Sequence, residues 1–248
     1  MTATTTTTAS RPSPTARTVR VLARTALRLA GWFWAIALVG IVLASLVVWL
    51  VAGRVDQLIA PFAVQAGVWF PFSQAIAIGS VYLTVHVAAG MTRRTFVRAA
   101  TVVAVGTGVG YTAVLAVLVL AERALHGALG WGTGMSALGL PVGERSLGET
   151  AAALAALAAP FVVANLSGLL VGIVYLRFGS LWGTLTLPLT VGPLVAVLYL
   201  LPFVPVLGLA AGTGRAAVDV AIGAVAAALL AVVFATLTRR TELAPASG

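Results

Sequence analysis

Residues 29–53 read LAGWFWAIALVGIVLASLVVWLVAG, 25 residues without one charged side chain. As a helix this run is about 38 Å long at 1.5 Å per residue, enough to cross the ~30 Å hydrocarbon core of a bilayer. Trp32, Phe33 and Trp34 open it and Trp49 closes it, and amphipathic rings favour the two membrane interfaces. Outward from this stretch the pattern repeats. Charge-free runs occupy 57–92, 99–121, 124–143, 150–176, 178–214 and 220–238. The 248-residue chain is 60% hydrophobic and only 8% charged, with a mean hydropathy of +1.08. A soluble domain carries about 25% charged residues, so this much apolar surface belongs in lipid, and the expected fold is all-α and polytopic.

Six of the seven runs hold a helix. The run 124–143 contains six glycines and Pro141, a poor helix that reads as a loop. Pro61 and Pro71 push the second span to 72–91, while Pro202 and Pro205 end the fifth near Leu201. The predicted helices are 30–52, 72–91, 98–120, 151–175, 181–201 and 216–238. Pro188 and Pro193 predict a kink in the fifth.

All 15 basic residues are Arg, none is Lys, and there is no Cys, a bias expected of a GC-rich bacterial genome. A Walker-type P-loop needs a Lys to reach the β- and γ-phosphates, so this chain is not a P-loop ATPase. Without Cys there are no disulfides and no thiolate metal sites. Orientation follows from the arginines, which are retained on the cytoplasmic side of a plasma membrane. With the N-terminus inside, eleven arginines fall in inner segments and four (Arg54, Arg123, Arg145 and Arg215) in outer ones. Both termini then come out cytoplasmic. A stretch of 25 apolar residues after Arg28 is too long for the core of a cleaved signal and reads as a span.

Ahead of that span, residues 1–16, with a Thr4–Thr8 run and two prolines, are expected to be a disordered tail. In residues 17–30, Arg17, Arg20, Arg24 and Arg28 share one narrow stripe at 100° per residue, opposite Val19, Leu22, Ala26 and Leu29. This pattern predicts a separate amphipathic helix lying in the cytoplasmic interface, its arginines fixing topology or docking a partner. The domain plan is the tail 1–16, a transmembrane domain 17–240 that includes the interfacial helix, and a cytoplasmic tail 241–248.

Ionisable groups inside membrane spans usually mark function, and this chain has almost none. His86, one turn from the inner end of the second span, is the single candidate, and a bundle-facing polar contact is its plainer reading. Glu122 and Asp219 lie near outer span ends, where carboxylates reach water, and Asp219 has Arg215 one turn away. No paired carboxylates, His cluster or Ser with a base supports a hydrolase, a metal site or a bound cofactor. The spans instead carry small residues at helix-packing spacing: Gly106 with Gly110, Gly168 with Gly172, and an Ala-rich start to the fourth span. Asn165 and Ser167 are placed to add interhelical hydrogen bonds.

Gly90-Met91-Thr92-Arg93-Arg94-Thr95-Phe96 joins the second and third spans. It resembles the first cytoplasmic loop, roughly G-x-T-R-R-x-F, of six-span permease subunits of type-2 (ABC-2 type) ABC exporters of high-GC Gram-positive bacteria. Glu122 followed by Trp131-Gly132, and Tyr175-Leu176-Arg177-Phe178-Gly179 at the second inner loop, fit the same likeness, which covers about 17–240. The resemblance implies two permease subunits, identical or not, energised by a cytosolic ABC ATPase on a separate chain. That ATPase would push on the interfacial helix and on an inner surface that includes Gly90, Thr92, Arg93, Arg94 and Arg177. Residues 202–214 would stand where the family has a short re-entrant hairpin. The expected partners are thus an ATPase, a second permease subunit and the bilayer, with no nucleic acid. A non-transporting membrane scaffold or immunity-type protein is the alternative.

Overall fold

The computed structural model describes residues 13–132, 147–200 and 213–241. The predicted tail over 1–12, most of the 124–143 loop, the 202–214 hairpin up to residue 212 and the C-terminal tail past Thr241 lie outside the described residues. The described helices are α1 Pro14–Ala52, α2 Ala60–Ala88, α3 Arg93–Leu129, α4 Leu147–Leu185, α5 Leu187–Val195 and α6 Thr213–Arg239. Five of them, all but α5, are long and apolar enough to cross a membrane. The chain is all-α and has the make-up of a multi-pass membrane protein.

The expected separate interfacial helix is not there. Ser13 caps α1 by accepting from the Ala16 N–H at 3.2 Å, Pro14 takes the first helical position, and the helix then runs unbroken to Ala52. Helix therefore begins inside what was read as the tail 1–16. At 39 residues, about 58 Å, α1 exceeds a bilayer core by several turns. The apolar stripe expected to lie on lipid is used elsewhere. Thr18, Leu22 and Ala26 are buried in the bundle core, α1 packing chiefly on α3, while Arg17, Arg20, Arg24 and Arg28 stay exposed. No Pro interrupts residues 17–30, and one packed face holds the segment in line with the span.

Two further boundaries move. Helix α2 starts at Ala60 in a 3₁₀ turn and continues through Pro71, so that residue does not open the span. One missing N–H is tolerated because α4 clamps the turns that follow. A side chain at Gly168 would strike the Phe72 carbonyl and Ala75, and one at Gly172 the Ile76 carbonyl and Gly79. A π turn at Ile78–Tyr82 carries Gly79 against the Leu169 backbone. Helix α3 likewise runs past 120 to Leu129, taking in the start of the predicted loop, and stops where Gly130 turns left-handed at φ 67°.

The fifth span, predicted as one helix over 181–201, is in pieces. Gly179 (φ 76°, ψ −177°) breaks α4, Thr186 interrupts it again, and α5 carries Pro188 in its first turn and Pro193 inside before a π turn at Ala196–Leu200. Both prolines act where they were expected to.

Within the chain, only one of the two predicted glycine pairs packs. Gly168 and Gly172 meet α2, but Gly106 and Gly110 face open space. The buried stripe of α3 runs through Phe96, Ala100, Val103, Ala104, Tyr111 and Leu115, and the glycine on it is Gly108, pressed on Val162 of α4. Gly106 and Gly110 lie about half a turn away from Gly108. In α6, Gly223 meets Ala159 in the same manner. Helix α4 is central, with 72% of its apolar window buried, whereas none of that window in α1 is.

Contacts give the helix directions. Trp34 packs on Tyr111 at 5.4 Å between ring centroids, and further along Ser45 and Trp49 share a cleft with Glu122 and Leu125, so α1 and α3 run the same way. Gly67 faces Phe161 and Gly79 faces Leu169, so α2 and α4 run together. Gly223 on Ala159 and the Leu237 carbonyl on Arg177 place α6 parallel to α4. The arginines of α1, the start of α3, Arg177 and the end of α6 consequently gather at one end of the bundle. Arg54, Asp56, Glu122 and Arg123 occupy the other.

Candidate functional site

At the arginine-rich end α2 turns into α3 within a few residues, and every turn of chain there is fastened. Gly90 adopts φ 76°. Its N–H donates to the Val87 carbonyl at 2.9 Å and the Met91 N–H to the His86 carbonyl at 3.2 Å, the paired bonds of a Schellman cap. Thr92 then caps α3, its hydroxyl accepting from the Thr95 N–H at 3.3 Å. His86 donates from Nε2 to the Thr92 carbonyl at 3.3 Å, a carbonyl being able only to accept, and its ring lies 5.3 Å from that of fully buried Phe96. His86 is thus a staple across the loop, the bundle-facing reading of the two weighed above.

This scaffold presents Arg93, half-buried, with Arg94 and Arg98, both exposed. No carboxylate among the described residues lies within 4.0 Å of the three. Arg93 and Arg94 occupy the first turn of α3, which holds no acidic residue, and cations sit unfavourably at the positive end of a helix dipole. Helix stability therefore does not account for them; retention of arginines on the cytoplasmic side does, and an anion from outside the chain would as well. Arg20, Arg24 and Arg28 on the parallel α1 extend the same cationic end.

Arg177, expected on this surface, is engaged within the chain. Its Nη1 donates to the Leu237 carbonyl at 3.3 Å and its guanidinium lies 5.1 Å over the Phe178 ring, tying the end of α4 to the end of α6. Asn165 likewise donates to the Phe161 carbonyl of its own helix at 2.8 Å rather than across helices, and buried Ser167 has no hydrogen-bond partner.

The opposite end holds a clasp that sequence reasoning missed. Glu122, read as a carboxylate reaching water, has a side chain only 8% exposed. Its two oxygens accept from the Ile59 and Ala60 N–H groups at 2.7 and 2.8 Å, capping α2 from α3 across 62 residues of chain. His126, one turn on and buried, stands 4.0 Å from that carboxylate and donates from Nδ1 to the Gly132 carbonyl at 2.8 Å, beneath the Trp131 ring. His126 repeats the arrangement of His86, a helix ending in a Schellman cap with the ring fixed to the carbonyl six residues on. The one available signal was that shared spacing, His-x₃-Gly, at both sites.

Between α4, α5 and α6 an apolar cleft of about 770 Å³ is lined by Phe178, Leu189, Pro193, Val225 and Leu229 among others. Its two hydroxyls, Thr186 and Thr190, are bonded to carbonyls of their own turns. Among the described residues no three His, Cys, Asp or Glu side chains are grouped to hold a metal ion.

The features together define a class, a multi-pass α-helical membrane protein with a rigid cationic loop at one end and a carboxylate clasp at the other. No family model, no curated protein and no solved structure matches the chain.

Proposed function

We propose that the chain is the membrane-spanning permease subunit of a type-2 (ABC-2 type) ABC exporter, in the plasma membrane of a bacterium, with six crossings and both termini in the cytoplasm. The observation that carries this reading is the loop Gly90–Phe96, held by a Schellman cap at Gly90 and an N-cap at Thr92 yet presenting Arg93 and Arg94 without a carboxylate of their own among the described residues. A stiff loop passes on a push where a mobile one absorbs it, and its unneutralised guanidiniums suit the acidic side chains of a partner. Because α1 packs along α3, force applied there would move two spans as one lever. The sixth crossing is the interrupted stretch 180–200. With no Lys the chain carries no P-loop, so the ATPase is a separate cytosolic subunit, and two permease chains, identical or not, form the pathway. The apolar α4–α5–α6 cleft offers no group for an ion and suits a lipid-like or drug-like cargo.

The test is purification from the native host in mild detergent. A cytosolic P-loop ATPase is expected to co-purify, and the isolated chain to show no ATP turnover. Robust hydrolysis by the chain alone, or retention of no ATPase, would overturn the proposal.

A further inference from the structure

The clasp of Glu122 and His126 keeps hydrogen-bonding capacity that nothing in the chain uses. The Ile59 and Ala60 N–H groups occupy one lone pair on each Glu122 oxygen, and an ionised carboxylate offers about four such sites. His126 donates from Nδ1 to the Gly132 carbonyl, so in the neutral ring Nε2 carries the lone pair. That nitrogen stands 4.0 Å from Glu122 Oε1, beyond hydrogen-bond reach. Two acceptors therefore neighbour one another, both side chains more than nine-tenths buried, and among the described residues no arginine lies within 4.0 Å of the carboxylate. What satisfies both is a donor that carries positive charge. An ammonium nitrogen set to one side of the line between them reaches each at about 2.8 Å.

Space for that donor lies alongside. Glu122 and His126 line a cleft of about 320 Å³ between α1 and α3. From this polar end the cleft continues along α1 through Trp49, Leu46, Val42 and Leu38, all exposed on surface that would meet hydrocarbon. The four residues share one helix face and cover about 16 Å toward the middle of the span. Trp131, its ring 5.3 Å from that of His126, lines the polar end together with Trp49, and a cation close to indole rings is attracted by their quadrupole. The cleft thus has a place for a cationic head near the end of the bundle and an apolar path leading away from it.

We infer that this cleft binds an amphipathic primary amine, its ammonium donating to Glu122 Oε1 and His126 Nε2 and its alkyl chain lying along the α1 stripe. The ethanolamine head of a membrane lipid and a foreign lipophilic amine share this chemistry. The inference does not depend on ATP-driven export, since every group that it uses belongs to this chain.

The full chain in a nonionic detergent is titrated, by scintillation proximity, with radiolabelled dodecylamine and with dodecyltrimethylammonium, a cation of the same chain length that has no N–H. His126→Asn keeps a donor for the Gly132 carbonyl, because the amide nitrogen takes the place of Nδ1, and deletes the acceptor at Nε2. Val42→Trp, at a lipid-exposed position, fills the path of the tail and leaves the clasp untouched. Circular dichroism and gel filtration matching the parent establish that each variant is folded. The dodecylamine Kd is expected to rise at least about tenfold in His126→Asn with the trimethylammonium Kd unchanged, and both to rise at least about threefold in Val42→Trp. Native mass spectrometry separates the two sources. Phosphatidylethanolamine retained by the parent and lost from the variants would make the aminolipid the occupant, whereas dodecylamine binding without a retained lipid would make it a foreign amine. An unchanged dodecylamine Kd in either variant would overturn the inference, as would an equal rise for both probes in His126→Asn.

Discussion

Glu122 and Asp56 sit at the same end of the bundle, and their surroundings give them different weights. Asp56 pairs with Arg54 at 3.0 Å, with the two side chains 60% and 72% exposed, and an ion pair in that much water contributes little. Glu122 is buried and accepts two backbone N–H groups at the positive end of α2. Glu122→Gln turns an amide NH₂ toward one of those donors and leaves it unsatisfied, at a cost of about 1–3 kcal/mol. We expect a thermal midpoint in detergent several degrees below the parent for Glu122→Gln and unchanged within error for Asp56→Asn. At the other end, Lys replaces Arg as a topology anchor but lacks the planar fork that grips a carboxylate in two places. If the loop couples to an ATPase, Arg93→Lys with Arg94→Lys leaves abundance and insertion intact and lowers the amount of ATPase recovered with the chain. Arg98→Lys serves as the control. Full recovery with the double variant would reduce the pair to anchors.

At the scale of elements, five of the six predicted spans were legible in the sequence as long helices, because 20 apolar residues in a row have few other uses, whereas the fifth, over 181–201, is in pieces. The faces of those helices were not. A soluble helix announces its buried side with an opposing polar side, whereas α3 is apolar nearly all round, so the spacing of Gly106 and Gly110 looks the same as that of Gly168 and Gly172. Only the packed bundle separates them, and it adds Gly79, Gly108 and Gly223. Gly168→Val, meeting the Phe72 backbone, is expected to destabilise by about 1–3 kcal/mol and to lower the recovered monodisperse fraction on gel filtration. Gly106→Val, into open space, should leave that fraction as in the parent. The continuity of α1 escaped for a related reason. An amphipathic stripe states that a face will be covered and is silent on whether lipid or α3 covers it. Of the candidate site, the loop motif and its arginines could be read from the sequence; the clasp, formed between residues 62 apart, could not.

For the molecule as a whole, the helix directions put Thr95 and Arg240 at one end and Gln57 at the other. Since the chain has no Cys, each introduced Cys is the sole thiol, and labelling with a membrane-impermeant maleimide carries no background. Thr95→Cys and Arg240→Cys are expected to react only after the cells are opened, and Gln57→Cys in intact cells. Reaction of Arg240→Cys from outside would leave an odd number of crossings and break the six-span reading of the 180–200 segment.

The lock between α2 and α4 also bears on how the protein is made. Helix α1 is the most apolar of the five long helices and has none of its apolar window buried; α2 is the least apolar, and its glycine and carbonyl sockets are filled by residues 168–172. A chain leaving the ribosome delivers α2 some hundred residues before its counterpart, so α1 should enter the bilayer unaided while α2 waits, incompletely sheltered, for α4 to arrive. A nascent chain stopped after residue 132 is therefore expected to be cleared by membrane quality-control proteases, and co-expression of residues 147–248 as a separate fragment to protect it.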